Sequence, residues 1–446
     1  MTMKKFFLMV IAVLMCLLCG CEGEKTDAQP VWSAGFGLVT LELPANTEQP
    51  LYIAGYHGGW EITGVLDLQQ ARALWLDDGN TSMVLIAVDC VGLDSGTVGK
   101  IRNELSAFCR ETGCDSVNVV STHTHAGVDT LGLWGPVAVN GKNEDFMQTV
   151  IQGAVEAAKL AYEDRSCGTL RYATVATEGL QEDSRDPQVF DSNVYQLRFQ
   201  PDDPNKNGIR LISFAAHAES LRSENTKVSR DYPGLVCDMI KEKTGDDALY
   251  VPGAIGGLIM TPRLKENVEE NLQVTAERIT NRVLAAKEGQ ELTPQMHLSR
   301  VEFETDLDNI LFQYYKFLGI LGNPVRQTLL GQYRLTTELT LIGLGDLTLA
   351  LLPGEIFPEL VSGTGEDADP PALKEIAAKY GIDQLMVIGL ANDEIGYIVP
   401  PSDYVLDEQL PYFSEAEGDH YEETNSVGRN CAWDLAEAFE RALRGK

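Results

Sequence analysis

Short apolar, β-branched runs alternate with amphipathic stretches along most of the chain. SMVLIAVDC (82–90) reads as a buried strand, TVGKIRNELSAFCRET (97–112) as a helix stopped by Gly113, and SVNVVST (116–122) as the next strand. Glycine suits the left-handed residue that closes many helices. Strand–helix–strand at this length predicts parallel pairing through a right-handed crossover. The pattern recurs with the strand IRLISFAAHA (209–218), the helix YPGLVCDMIKEKTG (232–245) with proline near its start, and ALYVPGAIGG (248–257) entering a glycine-rich turn. LKENVEENLQVTAERITNRVLAAKEG (264–289) is the longest amphipathic helix on this reading. Residues 298–352 instead alternate apolar and polar positions around turns, which suggests antiparallel strands. QLMVIGLAND (384–393) is a further buried strand, and VGRNCAWDLAEAFERALR (427–444) closes the chain as a helix. GTGEDADPP (363–371) and the aromatic-acidic segment 403–422 read as surface excursions. The expectation is an α/β fold: one domain over 31–446, with a mixed, largely parallel sheet flanked by helices and an antiparallel section.

The N-terminus stands apart from this pattern. Lys4 and Lys5 precede the apolar run FFLMVIAVLM, and Leu18-Cys19-Gly20-Cys21 has the form of a bacterial lipoprotein cleavage box. Residues 1–20 are therefore expected to be a signal peptide, Cys21 the lipidated residue, and 21–30 a polar tether. A plain signal peptide or an uncleaved anchor are the alternatives. The expected location is extracytoplasmic, with the domain held at a membrane of the cell envelope by its lipid anchor. A net charge of −31 argues against a nucleic-acid partner, which attracts basic surfaces, and against electrostatic docking to anionic lipid. Beyond Cys21 the cysteines are 90, 109, 114, 167, 237 and 431, with no CxxC pair to suggest a thiolate zinc site. Cys90 reads as a buried small hydrophobe. Cys109 and Cys114 are close enough in sequence to pair, because export permits disulfides.

Candidate chemistry gathers where the strands run out. SVNVVST is followed by His123 and His125, LISFAA by His217, LTLALLPG by Glu355, and QLMVIGLANDEIG by Tyr397. Ligands in open α/β sheets collect outside the carboxyl ends of strands. Imidazoles with a carboxylate are a common donor set for catalytic zinc that keeps a position for water. In an extended strand, residues two apart face the same side, so His123 and His125 are expected to face one site, one holding metal and the other beside its water. Each residue has a plainer reading. The histidines can be surface or core groups, Glu355 a helix N-terminal acid, and Tyr397 a half-buried aromatic.

The motifs NVVSTHTHAG, FAAHAES, LLPGEIFPEL and GLANDEIGY, in this order, resemble the N-terminal catalytic domain of the neutral/alkaline non-lysosomal ceramidases. IAGYHGG and QQARAL near the start and HYEETNSVG near the end extend the likeness over most of the chain. The resemblance implies one zinc per chain on His123, His217, Glu355 and Tyr397. It assigns His125, Arg185 in EDSRDP and Tyr421 in HYEE to the shell around a scissile amide. On their own residues, Arg185 could equally pair with Asp183 or Asp186, and Tyr421 could be an exposed loop aromatic. The implied reaction is hydrolysis of an amide, in ceramide or another N-acyl lipid, by an activated water.

Several stretches depart from that family. GGLIMTPR (256–263) has Thr261-Pro262 where the family carries an Asp-x-Ser-Pro-Asn type stretch, and AGVDTLGLWGP replaces its glycine-rich continuation. A family segment bearing histidine ahead of the ARA motif reads VLDLQQARAL here, and an immunoglobulin-like C-terminal domain is not expected. Thr261 and Trp134 stand as the pocket candidates. The zinc set is thus better preserved than the pocket lining. This keeps open the same chemistry on a smaller amide or ester, and, further off, a lipoprotein that binds solute without turnover. A (β/α)₈ amidohydrolase also uses HxH at a strand end, but neither its carboxylated lysine nor its late aspartate can be placed. No GxSxG elbow points to an acyl-enzyme.

Overall fold

Every residue of the strand Ser82–Val88 is buried, and its side chains divide by alternation. Met83, Leu85 and Ala87 enter one apolar layer, whereas Val84, Ile86 and Val88 enter another. Burial on both faces means that something covers each side of the sheet, which is why the run carries no polar alternation. The computed structural model describes residues 30–45, 47–286 and 288–445. The expected leader, lipidated Cys21 and nearly all of the tether lie outside the described residues. Val31 onward packs as one compact unit. Among the described residues, no helix is long and apolar enough to cross a membrane.

Two sheets share the first of those layers. A nine-stranded sheet runs in the order 247–252, 209–214, 193–201, 166–176, 32–40, 70–77, 82–88, 116–121, with 290–291 added beside 166–176. A five-stranded sheet runs 296–306, 333–344, 347–351, 384–388, with 325–327 beside 333–344. Leu85, Leu197 and Leu249 of the first meet Ile342, Leu349 and Met386 of the second in one core. The large sheet curls, as right-handed strand twist favours, until the edge strand Asp247–Pro252 contacts Gln70–Asp77, Ser82–Val88 and Ser116–Ser121. Helices cover the outer faces: Glu144–Asp164 over one part of the large sheet, Asp231–Thr244 and Val268–Leu284 over another, and Cys431–Arg444 over the small one.

The expected strand–helix–strand units are present. Ser82–Val88 pairs in parallel with Ser116–Ser121 and Ile209–Phe214 with Asp247–Pro252, and a third parallel pair, Leu347–Leu351 with Gln384–Ile388, begins in the stretch expected to be antiparallel. The antiparallel share of this mixed fold is wider than the alternation at 298–352 suggested. Strands 70–77, 166–176 and 193–201, none of them read from the sequence, join the parallel pairs through antiparallel neighbours. The links 78–81 and 202–208 are too short for a crossover, so they can form only hairpins.

The longest described helix is Glu144–Asp164, not the expected 264–289, which is helical over Val268–Leu284. Its inner face carries Phe146, Met147, Val150, Ile151 and Val155 beside Ala154, Ala157, Ala158 and Ala161. It lies directly on Gly35 and Gly37, where an added Cβ would fall 2.1 Å from the Ala161 carbonyl oxygen and 2.0 Å from that of Ala157. The helix expected at 97–112 is two, broken at Leu105, and ends at Gly113 with φ 76°. The stretch 403–422 is more than a surface excursion, because Tyr404, Tyr412 and Glu422 are buried. Cys90 is buried as expected, and Cys109 and Cys114 are free thiols.

Leu349 is fully buried between the sheets, so Leu349→Ala is expected to cost about 2–5 kcal/mol. Val65→Ala, at a position 45% exposed, should stay within about 0.5 kcal/mol of wild type. Equilibrium denaturant unfolding reads both, and similar midpoints for the two would contradict the shared core.

Candidate metal centre and active site

The strand Ser116–Ser121 stops before the histidines. His123 lies in the following turn with φ 63°, so the pair is not an extended strand with both rings on one face. The left-handed residue re-aims the chain, and the two rings still meet edge-on with centroids 4.7 Å apart. His125 is then fixed by pairing to the neighbouring strand end, where its amide donates to the Ala218 carbonyl. His217 follows Ile209–Phe214, and its amide donates to the Ile259 carbonyl. Glu355 and Tyr397 come from the other sheet's strand ends and stand opposite one another in a short parallel pair. Gly354 keeps that pair close: at φ +67°, an added Cβ would lie 2.3 Å from the Gly396 carbonyl oxygen.

The ring orientations fix the chemistry of the cluster. His123 Nδ1 lies 2.6 Å from the Val91 carbonyl oxygen and His217 Nδ1 2.9 Å from that of Ile259. A carbonyl only accepts, so both Nδ1 atoms carry the proton and, in the neutral rings, both Nε2 atoms present lone pairs. Those lone pairs face the same Glu355 Oε2, at 3.4 Å from His123 and 2.8 Å from His217. The Tyr397 hydroxyl lies 3.4 Å from His217 Nε2. Such a convergence of acceptors is unfavourable unless a cation or a proton sits among them. Without metal, a proton takes that place: burial disfavours the charged His217, but the hydrogen bond and charge of Glu355 outweigh it and raise its pKa to about 9. Burial works against ionised Glu355 too, yet the His123 charge and the hydrogen bonds from both imidazoles hold its pKa below the ordinary carboxylate range. Burial and the Glu355 charge push the Tyr397 phenol well above its ordinary value. The donor set therefore fits a divalent cation, which would favour the carboxylate and stabilise a phenolate together.

His123, His125 and His217 form a cluster whose ligand nitrogens all lie within 4.8 Å of one another, and the three histidines can bind a metal. His125 Nε2 stands 3.1 Å from His123 Nε2. Its Nδ1 is buried without a hydrogen-bond partner, 3.8 Å from Glu219 Oε2. Burial, followed by the charges of His123 and His217, lowers the His125 pKa well below its usual value, so this ring is a neutral base. Glu219 in turn accepts a hydrogen bond from Tyr56. Neither Tyr56 nor Glu219 was singled out from the sequence, although Glu219 stands two residues from His217 in FAAHAES and was open to the same-face argument. Glu394 was missed as well. It is buried in the site, and desolvation with the nearby Glu355 charge pushes its carboxyl well above the ordinary range.

His123, His125, Glu355 and Tyr397 form the polar floor of a cleft of about 740 Å³, open mouth included, and His217 is fully buried beside them. Leu131, Leu133, Trp134, Phe312, Leu321 and Leu335 supply apolar wall, and Tyr421 also lines the cleft. Trp134 and Tyr421 are thus brought to the site with His123, His125, Glu355 and Tyr397. Thr261 is not. It is buried, with its hydroxyl 3.4 Å from that of Ser220 and its carbonyl accepting from Arg222. Arg185 is not part of the lining either, nor paired with Asp186. Its guanidinium donates to Asp403, Glu422 and Glu423 at 2.8–2.9 Å, which consumes the fork that an oxyanion would need. It anchors the helix Tyr421–Thr424, and so positions Tyr421, rather than reaching substrate itself.

Comparison with known proteins adds to this geometry. Residues 52–261 match the family model of the neutral/alkaline non-lysosomal ceramidase N-terminal domain. The fold is similar to that of the neutral ceramidase from Pseudomonas aeruginosa, with a TM-score of 0.73 at 15% identity over 93% of this chain and 74% of that one. It is also similar to that of a ceramidase complexed with C2, with a TM-score of 0.69 at 14% identity over 94% of this chain and 76% of that one. No curated protein matches the chain in sequence. The resemblance noted in the motifs is thus shown, and at these identities the structural likeness is one of fold. The family match spans His123, His125, Arg185, His217 and Thr261, while Glu355, Tyr397 and Tyr421 lie beyond it.

Two outcomes follow from the charges described. Arg185→Ala would strand Glu422 and Glu423 in the interior and is expected to cost about 3–5 kcal/mol, read by denaturant unfolding. A change under about 0.5 kcal/mol would contradict the anchor. In chelator-stripped protein, the raised His217 pKa contributes stability in full below about pH 6.5, lost as pH rises through about 9. Melting temperature should fall across that window in the wild type and stay flatter in His217→Ala. Identical profiles would contradict the shared-proton arrangement.

Proposed function

We propose that the protein is a zinc-dependent amidohydrolase that cleaves the amide of an N-acyl lipid such as ceramide. The observation that carries this reading is the apolar cleft closing on His123, His125, Glu355 and Tyr397, with the fully buried His217 joined to them through Glu355. An acyl chain suits its walls, and the buried donor set suits one zinc ion per chain. The match to the ceramidase N-terminal domain over 52–261 supports the same chemistry. Lipidation at Cys21 would hold the domain at the extracytoplasmic face of a membrane, close to such a substrate.

His123, His217, Glu355 and Tyr397 would hold the zinc ion, which would supply an acidified water, with a pKa toward about 7, and Lewis-acid polarisation of a carbonyl. The chain's own groups supply the rest. His125, a neutral base within the cluster, takes the proton from the water that adds to the amide carbonyl and returns it to the leaving amine. Glu219, 3.8 Å from Nδ1, steadies the imidazolium that forms between the two transfers. Burial and then the Glu355 charge raise the Tyr421 phenol to about 12, so it remains a hydroxyl and donates to the oxygen on which charge develops. The apolar walls exclude bulk water, and they hold the acyl chain so that its carbonyl meets the floor.

A fluorogenic panel comparing N-acyl sphingosine with short N-acyl amines tests the reading. Turnover of the long-chain compound is expected. Turnover confined to the short compounds would assign the cleft to a smaller amide, and none on either would reject the hydrolase. His125→Ala should keep stoichiometric metal while kcat falls about 10²–10⁴-fold. Loss of the metal in that variant would instead make His125 a ligand, as its place among the three clustered imidazoles allows.

A further inference from the structure

Acidic residues are unevenly distributed. The chain carries 66 Asp and Glu and a net charge of −31, yet residues 309–337 contain neither acid and hold Lys316, Arg326 and Arg334. Arg326 pairs with Glu304 and Arg334 with Asp306. Lys316 donates to the carbonyls of Leu321 and Asn323 and, among the described residues, forms no ion pair with a carboxylate.

This same segment exposes large apolar side chains. Phe317 is 85% exposed, Leu329 107% and Leu330 90%. Phe317 ends the helix Ile310–Phe317, and Leu329 and Leu330 form the tip of the hairpin between Val325–Gln327 and Tyr333–Leu344. Polar or glycine residues ordinarily occupy such a tip. The inward side of the segment supplies Phe312, Leu321 and Leu335 to the cleft wall. A second loop repeats the pattern, with Leu133 and Trp134 lining the cleft and Val137 98% exposed. The two pieces meet at Gly132, where an added Cβ would lie 2.9 Å from Ile320 Cγ2. Both pieces therefore line the cleft with one part and expose large apolar side chains to solvent with another. An exposed apolar patch rimming a binding cleft marks an interaction surface.

We propose that this acid-free rim docks onto a phospholipid bilayer with zwitterionic headgroups, Phe317, Leu329 and Leu330 entering the interface while Lys316 meets lipid phosphate. Charge complementarity carries the choice of occupant. Elsewhere the −31 chain repels anionic surfaces, whereas here no carboxylate of the segment opposes a phosphate or must be desolvated against acyl chains. The proposal takes its purpose from the N-acyl-lipid reading, since docking would deliver such a substrate from bilayer to cleft, but its test does not depend on turnover.

The test uses the full chain with Leu329→Trp, mixed with vesicles of dioleoylphosphatidylcholine or of its brominated-acyl analogue. The added indole should lose roughly half its emission in the brominated vesicles, as expected for a ring at the headgroup–acyl boundary, while Val65→Trp, outside the rim, should show no added quenching. Equal emission of the Leu329→Trp indole in both lipids would overturn the proposal. So would a dimer, seen by sedimentation, that dissociates on Leu329→Asp with Leu330→Asp, because the surface would then belong to a second copy. The same double substitution should slow hydrolysis of vesicle-borne N-acyl lipid about tenfold and leave a short soluble amide unaffected. Quenching without hydrolysis of any amide would retain the docking face and reject the hydrolase.

Discussion

The carboxylate of Glu355 faces two imidazole nitrogens whose own protons are committed elsewhere. Val91 and Ile259 hold Nδ1–H of His123 and His217, so both Nε2 lone pairs point at Glu355 Oε2. Buried charges and unpaired acceptors each cost several kcal/mol unless something compensates. The polar floor is therefore suited to a cation shared among its members. A proton can serve, as the raised His217 pKa indicates, while His125 Nε2, 3.1 Å from His123 Nε2, and the Tyr397 hydroxyl bring protons of their own. The donor geometry suits a metal, and the backbone carbonyls that orient the rings are what make it so.

That requirement constrains the fold. The floor draws on both sheets, with the histidines following strands of the large sheet and Glu355 and Tyr397 following strands of the small one. Two further links hold the sheets together at this end: Val120 bridges to Ala391, and the Val119 amide donates to the Asn392 side chain. The curl of the large sheet closes the remaining distance, bringing its edge strand Asp247–Pro252 against Ser116–Ser121. Arg185 performs an analogous task at the mouth, tying Tyr421 in place through Asp403, Glu422 and Glu423.

The parts legible in the sequence were those with a strong, local signal. Continuous apolar runs such as VLIAV and LISF marked the parallel strands, and the polar residues that interrupt them marked the floor. Strands 166–176 and 193–201 mix half-buried and buried positions, which blurs the alternation. The helix Glu144–Asp164 went unread although Phe146, Val150, Ile151 and Val155 recur at helical spacing on its buried face, and its packing of alanines on Gly35 and Gly37 is visible only in three dimensions. His123 and His125 were paired correctly for an incomplete reason, since a left-handed turn rather than strand pleat brings them together. Arg185 illustrates the limit of motif transfer: the residue type permits oxyanion binding, but its partners, more than two hundred residues away in sequence, are visible only in three dimensions. Glu219 and Tyr56 belong to the same class, because contact between them depends on the close approach of Gly55, φ +115°, to the His125 ring.

The central claim is that one zinc ion satisfies the converging acceptors. A crystal of the purified full chain, with anomalous scattering measured on both sides of the zinc absorption edge, tests it most directly. The expected result is a single zinc peak per chain, within about 2.0–2.2 Å of Nε2 of His123 and His217 and of a Glu355 oxygen, with the Tyr397 hydroxyl turned toward it. An ordered cluster without a zinc peak, or a zinc peak whose ligands exclude Glu355, would contradict it.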